Sequence, residues 1–535
     1  MRQRVEKILE KYPAAVYRNR KQHILVKTPE TEDLTIQANT RTVPGIITNR
    51  GCCYAGCKGV VLGPLRDVVH IVHGPIGCSY YTWGVRRHKG VIKEGEQNLL
   101  SYCFSTDMQE GDIVFGGVNK LRQAVKEAYE IFKPEAITIC ATCPIGLIGD
   151  DIDAVAKEAQ KLYNIPVLAF HCEGYKGVSQ SAGHHIANNG LMKNVIGTAE
   201  REASKYSINI LGEYNIGGDA WEVERVLYKI GYEIVSMMTG NGTFKDLKSA
   251  HKANLNLVQC HRSINYIADM LKKKYGTDWL KINFIGVQST VKSLRDMAKY
   301  FGDEELIKRT EEVIEEELSY VLPILEEYKK KLKGKTAMLF VGGSRAHHYQ
   351  NLFKDIGMET VLAGYEFAHR DDYEGREVLP FIKEDADSKN IEELQVEPDP
   401  KHYRLFLSKE KFEELKNEIP INYYAGMIKE MKDGSIIVDD LNHYETEEFI
   451  KLLKPDIFCS GIKDKYIAHK MGVFSKQLHS YDYGGPYAGF RGAINFAKDV
   501  ANGILAPAWK LVTPPWKNEP ILEGQYTWLF EEEDK

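Results

Sequence analysis

The sequence predicts an α/β protein of three domains, each a parallel β-sheet flanked by helices. Three observations carry this. Short apolar runs recur, each led in by Lys-Pro-Glu, Lys-Pro-Asp or Gly-Lys and led out by a turn containing Gly or Pro into an amphipathic helix. Alternating strand and helix signals of that kind indicate βαβ units and parallel pairing. The length of 535 residues accommodates roughly three or four domain-sized cores. The composition, 43% hydrophobic and 27% charged with a mean hydropathy of −0.36, is that of an ordinary folded chain and excludes collagen, wholesale disorder and a disulfide miniprotein.

In chain order, MRQRVEKILEKY is charged and lacks the apolar core of a signal peptide. No window approaches eighteen uncharged apolar residues, so a cytoplasmic chain without a membrane span is expected. The first clear unit is KPEAITICATCPIGLIGDDIDAVAKEAQKLY. From Tyr206, SINILGEYNIGGDAWEVERVLYKIGYEIVSMMTG repeats the plan of strand, loop, helix and strand. From Gly302 to Gly334 a long charged helical pattern, broken by Pro323, reads as a bridging helix pair with a solvated face. GKTAMLFVGGSRAHHYQNLFKDIGMETVLAG and KPDIFCSGIKDKYIAHKMGVFSKQL are two more units. Between them, about 380–420 is so charged that it reads as a surface insertion. Breaks near 190 and 335 give domains 1–190, 191–334 and 335–535. Ligands in parallel sheets sit beyond the carboxyl ends of strands, where Cys143, Arg345 and Lys463 fall. A net charge of −5 and a pI near 6.4 argue against a nucleic-acid binder, which needs a basic face.

Ten cysteines are many for a chain of this type. In a reducing compartment, thiolates serve more often as metal ligands or nucleophiles than as disulfides. Cys52, Cys53 and Cys57 crowd into RGCCYAGCKGV, Cys78 closes HGPIGC, and Cys140 and Cys143 share ICATCPIG. Gly and Pro beside these cysteines permit close approach of a bulky group. A zinc ribbon does not fit, because only one CxxC pair occurs. Any one cysteine reads equally well as a small buried hydrophobe. Cys52, Cys78 and Cys143 together favour iron–sulfur ligation, for which thiolate is the soft donor.

RGCCYAGCKGV, HGPIGC, ATCPIGLIGDDI, CEGYKGVSQSAGHHIANN, LGEYNIGGDAW, NLVQCHRSINYI, GYEFAHRDDY and HSYDYGGPYAGF stand in the order seen in the α subunits of nitrogenase. From about Asn39 to Trp516 the chain resembles that family in its molybdenum–iron form, and the 380–420 insertion resembles that of clostridial-type members. The resemblance implies three Rossmann-like domains with a cofactor held between them. It implies that Cys52, Cys78 and Cys143 ligate the P-cluster (8Fe-7S), an iron–sulfur cluster shared with a β subunit that supplies the remaining ligands. Cys53 and Cys57 match no ligand position, although some members carry serine where Cys57 stands, which raises its approach to the P-cluster on oxidation. The iron–molybdenum cofactor (7Fe-Mo-9S-C) with its homocitrate would be held by Cys260 and His479.

By the same resemblance, His184 meets a cofactor sulfide and donates protons, and Gln180 meets homocitrate. Their spacing of four puts both on one helix face, which alone would fit two exposed polar residues. Arg86 and Arg345 correspond to arginines lining the anionic cofactor, Gly342 and Gly343 to backbone amides near its sulfides, and Lys463, Gln477 and Glu366 to positions around homocitrate. Val60 matches a small apolar residue controlling access. The implied activity is reduction of dinitrogen and protons to ammonia and hydrogen in an α2β2 heterotetramer. Electrons would come from an ATP-hydrolysing iron protein and pass through the P-cluster to the cofactor. GxxxxGK[ST] is absent here, so nucleotide hydrolysis is placed on that partner. A vanadium or iron-only α chain is the nearest alternative. A cofactor-assembly scaffold would lack the histidine ligand and parts of the Gln180/His184 pair, and a tetrapyrrole reductase would lack the Cys260/His479 pair. Leu478 and Asp464, beside ligand and homocitrate positions, differ from the commonest form.

Overall fold

The computed structural model describes residues 1–29, 36, 51–85, 97–177, 180–261, 264–342, 345–366, 376–377, 391–419, 421, 423–424, 426–460, 464–478 and 484–512. The chain divides into two compact units. One comprises Met1–Asn49, Ile282–Val378 and Asn422–Lys535, the other Arg50–Lys281 and Leu379–Ile421.

The second unit holds two parallel sheets. In one, β2 (Val68–His73), β3 (Ala136–Ala141) and β4 (Val167–Phe170) pair in that order. In the other the order is β6 (Glu233–Thr239), β5 (Ser207–Glu213), β7 (Leu255–Val258) and β8 (Asp278–Lys281). Every residue of β2, β3 and β5 is buried, as expected when helices cover both faces of a parallel sheet. The helices Val118–Phe132 and Ile152–Tyr163 bury Leu121, Val125, Ile152 and Val155 in one core with Ile137 and Ile139 of β3.

The first unit holds a single six-stranded sheet, ordered β1 (Ile24–Val26), β13 (Ile436–Asp439), β10 (Glu359–Glu366), β9 (Thr336–Gly342), β14 (Ile457–Ser460) and β15 (Phe474–Gln477). Only β1 runs antiparallel, pairing with β13 at the sheet edge. A separate two-stranded ribbon joins β11 (Arg376–Glu377) to β12 (Tyr423–Tyr424). The amino-terminal helix Arg2–Leu9 packs Val5, Ile8 and Leu9 into the core formed by Met338, Phe340, Val438 and Phe449.

Four differences from the sequence expectations have physical causes. The helix Glu304–Leu332 runs unbroken through Pro323, so the expected helix pair is one element. Proline removes one backbone donor inside a helix, but buried Val321 and Leu325 on either side keep the packing face continuous. That helix, which was placed with residues 191–334, belongs to the unit containing β9–β15. Residues 1–49, placed with the first sheet, also belong there, because β1 pairs with β13. The charged insertion, placed in the third domain, joins the second unit. There Ile391, Phe412, Leu415 and Ile419 are buried, and the Arg404 amide donates to the Tyr275 carbonyl at 2.9 Å. Its apolar residues are sparse but spaced to anchor it.

One buried ion pair fixes the amino terminus. Arg20, 1% exposed, donates from Nε to Glu445 Oε1 at 2.6 Å and from Nη2 to Oε2 at 2.8 Å and to the Asp439 carbonyl at 3.0 Å. Glu445→Ala leaves a buried guanidinium without its counter-charge, so a stability loss of about 3–5 kcal/mol is expected. Denaturant unfolding checks this; an unchanged midpoint would show that the pair is dispensable.

Candidate functional site

In the second unit, Cys52 precedes a helical segment, Cys78 lies in the helix Ile76–Gly84, and Cys143 opens the helix Cys143–Ile148 directly after β3. The fold brings these three sequence-distant thiols together. A Cβ at Gly174 would lie 3.0 Å from Cys143 Sγ and 3.3 Å from Cys52 Cβ, so glycine leaves the floor of a cradle between them. Partial burial raises the Cys78 thiol, and the neighbouring Cys52 and Cys143 thiols add to the shift. Cys52 and Cys143 are exposed and Cys78 half-buried, which leaves the group open on one side. Tyr54 holds the Cys78 helix by donating to the Cys78 carbonyl at 3.0 Å. Behind Cys143, Thr142 Oγ1 donates to the His73 carbonyl at 2.9 Å, and His73 Nε2 lies 3.0 Å from Asp150 Oδ2.

Four other cysteines form a contrasting set. Cys53, Cys57, Cys140 and Cys172 are fully buried beside one another, and none of the ten cysteines is in a disulfide. Burial pushes the Cys57 thiol up to about 11 and those of Cys140 and Cys172 well above the ordinary range. All four pack as small buried groups in the core. Cys57 faces Cys172 and Cys140, so its expected approach to the three open cysteines gains no support; burial has turned its side chain into the core.

The helix Gln180–Asn194 carries Gln180 in its first turn and His184 one turn on, both half-buried. It lies against the π-helical segment Ala55–Leu62, on which Val60 is half-buried. Glycines permit this contact: a Cβ at Gly183 would meet the Cys53 carbonyl oxygen at 1.9 Å, and one at Gly51 would meet Gln180 Nε2 at 2.0 Å. The His184 ring is tilted against that of Tyr214 at 5.9 Å. Gly183→Ala must therefore displace backbone, at an expected cost of about 1–3 kcal/mol. The expected result is a lower unfolding midpoint together with lower activity; wild-type values for both would contradict the close packing.

Cys260 is buried just beyond β7, where the Gln259 amide donates to the Leu211 carbonyl at 2.9 Å. Gly212, at φ +80°, would place a Cβ 2.6 Å from Cys260 Cβ, so β5 crosses beside the thiol only as glycine. In the first unit those implied positions that are described lie at the carboxyl end of its parallel strands. Gly342 ends β9, Glu366 ends β10 opposite it, and Gln477 ends β15 opposite Ser460. Arg345, 8% exposed, begins the helix Arg345–Asp355 just after β9. Arg86, Gly343, Lys463 and His479 lie outside the described residues. Sequence reasoning missed the glycines at 51, 174, 183 and 212, whose role depends on neighbours remote in the chain. It also missed an apolar rim: Ile76, Tyr80 and Tyr81 on the Cys78 helix, Leu147 on the Cys143 helix, and Phe115, 90% exposed. Apolar residues on an otherwise ordinary helix show that role only once the thiols are placed.

These thiols stand on parallel α/β sheets, and residues 52–505 match the model of the nitrogenase component 1 type oxidoreductases, the family to which the chain belongs. Within that family it is 61% identical over 514 residues to the nitrogenase molybdenum-iron protein alpha chain of Clostridium pasteurianum, covering 96% of each chain. The alpha chain from Methanosarcina barkeri is 54% identical over 518 residues, covering 97% of each. The solved structure of nitrogenase Cp1 at pH 6.5 superposes with a TM-score of 0.90 at 61% identity, covering 96% of this chain and 99% of that one. The chain is thus an oxidoreductase, with the parallel α/β architecture expected from its sequence. No helix among the described residues is long and apolar enough to cross a membrane.

Proposed function

We propose that the chain is the catalytic α subunit of a molybdenum-type nitrogenase component 1, reducing dinitrogen to ammonia with hydrogen evolution. The observation that carries this is the convergence of Cys52, Cys78 and Cys143 at one open cradle. Its donor set suits the group that the relatives' family implies: three soft thiols, a glycine floor, and an open side where a second chain can add ligands. These three residues would hold the P-cluster, and Cys260 with His479 the iron–molybdenum cofactor. When bound, the clusters supply electron storage and reduced metal, chemistry that no side chain provides.

The chain's own residues do the rest. Gln180, whose side chain lies beside Gly51, would orient the homocitrate, with Lys463, Gln477 and Glu366 around it. His184 would hold a proton on a ring nitrogen and deliver it to the bound substrate. Arg86 and Arg345 would supply permanent positive charge to an anionic ligand, since guanidinium stays protonated when buried. Gly342 and Gly343 would offer backbone amides, and the side chain at Val60 would set access by its size. The apolar rim beside the thiols supports docking of a β subunit in an α2β2 assembly, because Phe115, Leu147 and Tyr81 would otherwise stay solvated. An iron protein that hydrolyses ATP would supply electrons. Metal analysis of the anaerobically purified complex tests the reading. Molybdenum with abundant iron is expected; vanadium or iron alone would change the metal class, and little metal would favour a scaffold.

A further inference from the structure

Glu200, His251 and His402 meet within the second unit, far in sequence from Cys52, Cys78 and Cys143. Glu200 lies in the connection preceding β5, His251 in the short turn Ala250–Lys252, and His402 in the charged insertion. One ligand atom from each lies within 4.8 Å of the other two. His251 is 1% exposed, and neither ring nitrogen has a hydrogen-bond partner among the described residues. Its neighbours are the rings of Tyr275 at 5.3 Å and His402 at 4.7 Å. A buried imidazole left this way is costly unless something binds it.

The other two residues are arranged as metal ligands usually are. His402 Nδ1 lies 2.8 Å from Asp399 Oδ2, which orients the ring and directs Nε2 toward Glu200 Oε1 at 2.7 Å. A carboxylate behind the distal nitrogen is the common support of a ligating histidine. Glu200 Oε2 is held separately by Lys252 Nζ, and Lys401 Nζ lies 3.4 Å from Oε1. His402 faces a carboxylate from each nitrogen, so a cation between Nε2 and Oε1 would take the place of that hydrogen bond.

We propose that Glu200, His251 and His402 bind one zinc-like divalent ion that pins the insertion to the second unit. Two imidazoles and one carboxylate, with water as a fourth ligand, suit zinc, whereas calcium and magnesium require mostly oxygen. Zinc–nitrogen bonds of about 2.0–2.1 Å put tetrahedral ligand atoms roughly 3.3 Å apart. A modest swing of the His251 ring toward the other two therefore completes the site. Glu200, 52% exposed, leaves an entry path from solvent. The proposal does not depend on which clusters occupy the thiol sites.

The test is zinc titration of the intact complex after brief chelation, in competition with a chromophoric chelator. Glu200→Gln, His402→Gln and Asp399→Asn proteins are run in parallel. Wild type should bind one more zinc per α chain than the Glu200→Gln protein. Glu200→Gln and His402→Gln should weaken that site on the order of 100-fold, and Asp399→Asn about 10–100-fold. Zinc should also slow tryptic cleavage between Lys401 and Lys416 in wild type alone. Glu200 is half-exposed, so its variant is expected to fold even if changes at buried His251 do not. Equal zinc binding by wild type and Glu200→Gln, or none by either, would overturn the proposal.

Discussion

Cys143→Ala in the assembled complex is expected to abolish substrate reduction and lower the iron content while leaving the fold intact. Cys143 is exposed at the start of a short helix, so its loss creates no core cavity. What disappears is one of only three soft donors at the cradle floored by Gly174. Neither Cys53 nor Cys57 can substitute. Both are buried in the core, with the Cys57 thiol pushed up to about 11 by that burial, whereas the three cradle cysteines are exposed or half-buried. Anaerobic metal analysis and far-ultraviolet circular dichroism separate the effects: iron should fall with the spectrum unchanged. Full iron retention with wild-type activity would remove Cys143 from the ligand set.

The second large effect is expected at Cys260. Cys260→Ala should lose molybdenum and dinitrogen reduction but keep the iron held by Cys52, Cys78 and Cys143. The two sets are separate in the fold: Cys260 lies beyond β7 against Gly212, whereas Cys78 and Cys143 follow β2 and β3 and Cys52 meets Cys143 at Gly174. Alanine keeps the Cβ that packs beside Gly212 and removes only Sγ, so the backbone has no reason to move. His479→Ala should give the same phenotype if both residues hold one cofactor. Molybdenum bound at wild-type level in either variant would contradict that assignment, and loss of all iron would show that the two sets depend on each other.

Much of this was legible in the amino-acid order. β3, β5, β9 and β14 fall on the apolar runs AITICA, SINILGE, TAMLFVG and IFCS, because a strand buried on both faces reads as a continuous apolar segment. Cys143 and Arg345 read as strand exits because a Gly- or Pro-containing turn follows each run. Pro323 misled because its local cost was weighed without the core contacts of Val321 and Leu325. The insertion misled because its charge outweighed four anchoring residues, of which Phe412 and Leu415 are spaced for one helix face.

Sequence alone determined the strands and helices, the α/β class, and the thiol, imidazole and guanidinium groups available for chemistry. Those depend on residue type and short-range periodicity. Only tertiary structure decided which cysteines form an open cradle and which are sealed in the core. It also decided that glycines 51, 174, 183 and 212 are clearances, and that His402 in a charged insertion meets His251 beside a distant strand. Such relations join residues tens to hundreds of positions apart. Sheet order, register and packing set them, and none of these is encoded in any local stretch of chain.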